Sequence, residues 1–271
     1  MTYWVAVYRA NLRTAVAQML QYRFGILIWA VWGFVGPLIS LAVWSAATSA
    51  RGGAITNGVV AYSQRDFAAY FLVYMVVGHL VMSWDAFEFA FRVRDGNLSP
   101  RLLKPLNPIH GDLTANIAFK LATTAMILPA WVLLFTMLHP SPPRSLPEFL
   151  LGIPAVLLAG LLRFVLQYSL ALAAFWTTRV EAINELYFAL DSFLAGRIAP
   201  LALLPAWMAA VAAYSPFRGM GAFPVELLLG RLDAGQVTLG FLSQIAWLAV
   251  AIGIFRAMWA AGVRQYSAVG A

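Results

Sequence analysis

Three charged residues stand inside apolar segments of this chain: Arg163, Asp191 and Arg197. An arginine at mid-bilayer costs about 2.5–3.5 kcal/mol on insertion scales, so such groups need partners or water. Asp191 and Arg197 are six apart, which puts them on different faces of a regular helix, although Gly196 can break that geometry. A pair between Arg163 and Asp191, across two helices, fits better. It reads as an interhelical clamp that holds a bundle, or as a polar patch lining a path for anionic or amphiphilic cargo. As a coupling-ion site it would instead belong to a gradient-driven secondary transporter.

Covalent chemistry has little to work with. The three histidines, His79, His110 and His139, are too scattered for a histidine-rich metal site, and no cysteine is present. There is no Gly-x-Ser-x-Gly elbow, no HExxH pair and no GxxxxGK[ST] phosphate loop. Asp85 with Glu88, and Glu181 with Glu185, read as helix-end charge. Glu88 and Arg92 are four apart and can pair on one face. No catalytic residue and no metal site is expected in this chain.

Hydrophobic residues make up 62% of the 271 and charged ones 11%. A soluble domain carries charge at about a quarter of its positions, so this chain cannot cover a globular surface. An all-α integral membrane protein is expected. The net charge of +7 then reflects orientation and anionic lipid, with no nucleic-acid partner.

A single membrane domain over 1–271 accounts for the elements that must place these residues. Met1 to Tyr22 lacks the apolar core and cleavage site of a signal peptide. Trp4, Tyr8, Leu12, Val16 and Leu20 recur every four residues, with Arg9 and Arg13 off the stripe. That pattern predicts an amphipathic helix lying in the membrane interface. Apolar spans follow at 24–47, 67–91, 117–138 and 149–178, then a segment at 183–213 broken by Gly196, Pro200 and Pro205, and a last span at 237–260. Residues 214–236 hold too many turn formers for one span and suggest a half-buried piece. About six spans of roughly 20 residues result, and no internal repeat stands out.

The longest polar interval is Arg92 to Thr114, RVRDGNLSPRLLKPLNPIHGDLT. Ser99 before Pro100 reads as an N-cap with a first-turn proline, ended by Pro105; Asn107 before Pro108 starts the next helix. The stretch is either an ordinary basic loop or a short docking helix. With the amino terminus inside, Arg and Lys favour the inner loops by roughly two to one, placing this stretch and both termini in the cytoplasm.

The order of these parts resembles the type-two ABC exporter permeases, and within them a subfamily of bacterial permeases of about this length. The resemblance is carried by VRDGNLSPRLLKPLNPI at 93–109, FLAGRIAPLALLPAW at 193–207, YSPFRGMGAFPVELLLG at 214–230 and GVRQYSAVG at 262–270. It implies a transmembrane subunit of an ATP-driven exporter in a bacterial inner membrane. The partners would be two copies of a separate ABC ATPase, which binds ATP and Mg, and a second permease, identical or homologous. Gly96 to Lys104 would be the coupling helix. Leu98, Leu102 and Leu103 would give apolar contact with the ATPase, and Arg94, Arg101 and Lys104 charged contact, with Asp95 beside them. Cargo is not specified, though a lipophilic or amphiphilic one is mildly favoured.

Overall fold

The computed structural model describes residues 2–21, 23–58 and 60–266. Helix α1 (Thr2–Gln21) precedes α2 (Arg23–Ala50), a hairpin of β1 (Ala54–Thr56) and β2 (Ala61–Ser63), α3 (Gln64–Val81), α4 (Asp85–Arg94) and α5 (Ser99–Leu102). Then come α6 (Pro108–Leu138), α7 (Leu146–Ala171), α8 (Val180–Leu194), α9 (Ala206–Tyr214), α10 (Pro216–Met220), α11 (Ala222–Leu228) and α12 (Ala234–Gln265). A 3-10 turn at Leu172–Phe175 extends α7. Four stretches are long and apolar enough to cross a membrane: Val31–Ala50, Pro108–Leu138, Leu146–Phe175 and Ala234–Gln265. The protein is an all-α multi-pass membrane protein with one small hairpin, which the polar interval at 48–66 did not announce.

Caps and prolines set most boundaries. Asn107 accepts a hydrogen bond from the Ile109 amide (3.0 Å) and starts α6, as its position before Pro108 suggests. Ser63 and Asp66 form a reciprocal capping box at the start of α3.

The expected span at 67–91 is two helices. No glycine or proline marks the break at 82–84. Packing makes it: Val81 and Ser83 are buried, Met82 turns extended at ψ 145°, and Asn116 donates to the Met82 carbonyl at a long 3.5 Å.

Residues 196–232 form a second departure. Gly196 takes φ 78°, open to glycine without strain, and its carbonyl accepts from the buried Tyr70 hydroxyl at 2.9 Å. The chain then touches the hairpin end of the bundle, where Asn57 donates to the Ala202 carbonyl (2.7 Å). It next drops along α9 to Tyr214, whose carbonyl meets Trp247, about 20 Å down α12 from its start at 1.5 Å per residue. It returns through α10 and α11 to Leu229, which bonds the Arg144 amide back at the hairpin end (3.1 Å).

The half-buried piece expected at 214–236 is a run of short helices before α12, and its middle is enclosed by the protein, with Met220, Phe223, Val225 and Leu227 almost wholly covered. Several of its polar groups are satisfied inside the protein. Arg218 pairs with Glu226 at 3.3 Å, and Gln244 donates to the carbonyls of Gly219 (2.8 Å) and Ala155 (3.0 Å). Gly221 has no room for a side chain against the Ala195 carbonyl.

Candidate functional site

Two polar centres sit on the scaffold, both reached by α7. The first lies beneath α5. Asp112, in the second turn of α6, is almost fully buried and accepts three hydrogen bonds from three other elements. They come from Arg92 of α4 (2.8 Å), Arg101 of α5 (2.8 Å) and the Tyr168 hydroxyl of α7 (3.0 Å). Arg92 also pairs with Glu88, as their spacing suggests. A carboxylate held by two guanidinium groups and a phenol has little freedom to move. Sequence reasoning missed Asp112 as a hub, because its partners lie up to 56 positions away.

This hub corrects details of the docking stretch. Ser99 is not the N-cap: Leu98 is, with helical backbone angles, because its amide already bonds the Arg92 carbonyl (3.1 Å) after the turn at Gly96, φ 72°. The Ser99 hydroxyl instead reaches the Tyr266 hydroxyl at 3.1 Å. Leu98 is 0% exposed and packs in the main core beside Phe89 and Leu172, so it anchors the turn and cannot offer apolar contact to a partner. Leu102 leans on the same core, whereas Leu103 is 89% exposed. Arg94 is paired with Glu181 of α8 (3.0 Å), and Arg101 with Asp112. Leu103, Lys104, Asp95 and Asn97 face outward, framed by Pro100 and Pro105, and Arg94 is exposed as well although it pairs with Glu181.

Helix α1 lies beside the first turns of α6. Its stripe packs there through Tyr8, Ala15 and Met19, and the Tyr8 hydroxyl meets His110 Nδ1 at 2.6 Å. Burial raises the Tyr8 phenol above its ordinary value, so it stays protonated. Trp4 lies 5.6 Å from the His110 ring, while Arg9 and Arg13 face outward. The side of this stripe expected to meet lipid meets protein over much of its length. The side chain of Leu20 lies outside the described residues, as does the tail from 267.

The second centre is deeper. Arg163 and Asp191 form a two-pronged pair between α7 and α8, with Nη2 to Oδ1 at 2.5 Å and Nη1 to Oδ2 at 3.1 Å. This is the pairing favoured by the sequence. Both groups are buried and both line a cavity of about 260 Å³ between α2, α3, α7 and α8. Arg197 lines it too, beyond the Gly196 turn, with its guanidinium against α2 at Gly36. Thus the clamp and the cavity wall are one structure. On α7, Tyr168 and Arg163 are five residues apart, about 7.5 Å along the axis, so one helix touches both centres.

A comparison with curated proteins finds no match. A family model described as "ABC-2 family transporter protein" matches residues 35–270, a range that takes in both polar centres and the enclosed return segment. A multi-pass helical membrane protein matched over that range belongs to the ABC-2 transporter family, as a permease subunit of an ABC transporter.

Proposed function

We propose that this subunit carries an amphiphilic substrate outward across a bacterial inner membrane, driven by a separate ABC ATPase that docks on α5. Crossings by α2, α3–α4, α6, α7, α8 and α12 make six, an even number that puts both termini on one side, and the excess of Arg and Lys on the inner loops makes that side the cytoplasm, together with α5. Two ATPase copies bind ATP and Mg, and a second permease, identical or homologous, completes the path. The observation that carries this reading is the Asp112 hub: an exposed, leucine-tipped helix is tied through one buried carboxylate to α4, α6 and α7.

ATP-driven closure of the ATPases would press on Leu103 and Lys104. The hub would pass that displacement to α7, and α7 would move Arg163 in the cavity wall. An ion-gradient mechanism through Arg163 and Asp191 is disfavoured, since the Asp191 charge is already balanced by the two-pronged Arg163 guanidinium.

The test is purification of the tagged protein from its native cell in mild detergent, with co-purifying chains identified. Covering Leu103 contributes about 1.5–3 kcal/mol to docking. Leu103→Asp, at an exposed site, should therefore leave a folded protein that no longer retains the ATPase. A native protein that runs alone, with no ATPase, contradicts the proposal.

A further inference from the structure

The charges around the cavity do not cancel. Arg163 and Asp191 meet through two hydrogen bonds, so their charges balance one another. The Arg163 Nε–H is buried without an acceptor. Arg197 faces the same space and makes no ion pair among the described residues. His79, the remaining titratable group on the α3 wall beside Tyr74, is engaged with the Thr123 hydroxyl at 2.9 Å. Among the described side chains, the cavity therefore holds one guanidinium more than its carboxylate balances. Arg197 is itself an exposed residue at this cavity, so its unbalanced charge is open to a counter-charge.

We propose that this cavity takes the anionic head group of a single-chain or lipid-like amphiphile, with Arg197 as its ligand and the Arg163–Asp191 pair as the fixed wall behind it. The other walls fit that chemistry. Trp32, Met75, Trp84 and Phe188 give apolar and aromatic surface around the charge. A volume of about 260 Å³ falls just under the roughly 300–1,000 Å³ of ordinary small-molecule sites, so it suits a head group while the chain stays outside. A route for that chain exists on α2, where Ile28, Val31 and Trp32 are largely exposed. A Cβ at Gly36 would lie 3.8 Å from Arg197 Nη2, in ordinary contact, so a larger side chain there would fill the space beside the guanidinium. The proposal depends on the permease reading for its role, since only a transport path gives the occupant an exit. The binding itself does not.

The experiment uses the purified full chain in phosphatidylcholine nanodiscs without ATPase. Labelled hexadecyl phosphate is compared with zwitterionic hexadecylphosphocholine, and empty discs give the background. A hydrogen bond to a charged group is worth enough to predict at least about tenfold tighter binding of the phosphate. Arg197→Gln should abolish that preference and Arg197→Lys should keep it. Gly36→Leu retains every charge but fills the space beside Arg197, and should also weaken phosphate binding. Unchanged elution and melting of Arg197→Gln establish that it is folded.

Equal binding of the two probes overturns the proposal, as does a preference that survives in Arg197→Gln. Competition by phosphatidylglycerol in the disc places the natural occupant in the bilayer, and competition by butyl phosphate places it in water. Both outcomes support an anion site. A negative result here leaves ATPase co-purification untouched, and a missing ATPase leaves this binding result standing.

Discussion

Asp112 and Asp191 are both buried carboxylates held by arginine, yet they are built differently. Asp112 is shared among α4, α5, α6 and α7, and its arginines reach partly into solvent. Among the described residues Asp191 has a single hydrogen-bonding partner, Arg163 of one helix; both are buried, and a cavity lies beside them. The first arrangement is over-determined and suits a joint that must transmit force without yielding. The second has one strong link next to a cavity and suits a wall whose neighbour can change. The difference shows where rigidity and adaptability sit in this protein: rigid beneath the docking helix, adaptable around the charge in the membrane.

The largest expected effect is at the isolated pair. Arg163→Ala leaves Asp191 buried and uncompensated, a loss of about 3–5 kcal/mol read as a fall in melting temperature or in recovered folded protein. Replacing both with apolar residues, as in Arg163→Met with Asp191→Leu, should recover most of that loss, which a double-mutant cycle measures. Asp112→Asn should cost less, about 1–3 kcal/mol, because Arg92 and Arg101 can regain water. Melting that is hit harder by Asp112→Asn than by Arg163→Ala would reverse the comparison. Tyr168→Phe removes one hydrogen bond from the hub at about 0.5–1.5 kcal/mol. Its sharper readout is weakened ATPase-linked transport in protein of near-normal stability. Glu88→Gln, on the exposed rim, should cost no more than about 1 kcal/mol in the same melting assay.

Much of this was legible from residue pattern. The membrane class follows from scarce charge, and the start of α6 from Asn107 and Pro108. The Arg163–Asp191 pair follows from the cost of leaving either alone. What was not legible depends on contacts distant in sequence. The break after Val81 has no local marker and arises from packing around the cavity. The turn formers of the return segment announce a half-buried piece and not a full span, but they do not show that Arg218 and Glu226 pair with each other or that its glycines permit close packing. Leu98 reads as exposed beside basic residues, yet the turn at Gly96 folds it under. Asp112 gives no sign of its role, since nothing in a sequence reports that four elements converge on one side chain.

The central claim is that displacement at α5 reaches the cavity through the hub. The chain has no cysteine, so Val31→Cys on α2 and Leu190→Cys on α8, both exposed, can be spin-labelled uniquely. The distance between the labels would be measured in the complex with its co-purified ATPase, with and without ATP and vanadate. The account predicts that nucleotide shifts this distance in the native background and that Asp112→Asn with Tyr168→Phe abolishes the shift while the ATPase remains bound. A distance that ignores nucleotide, or a shift that persists without the hub, would contradict it.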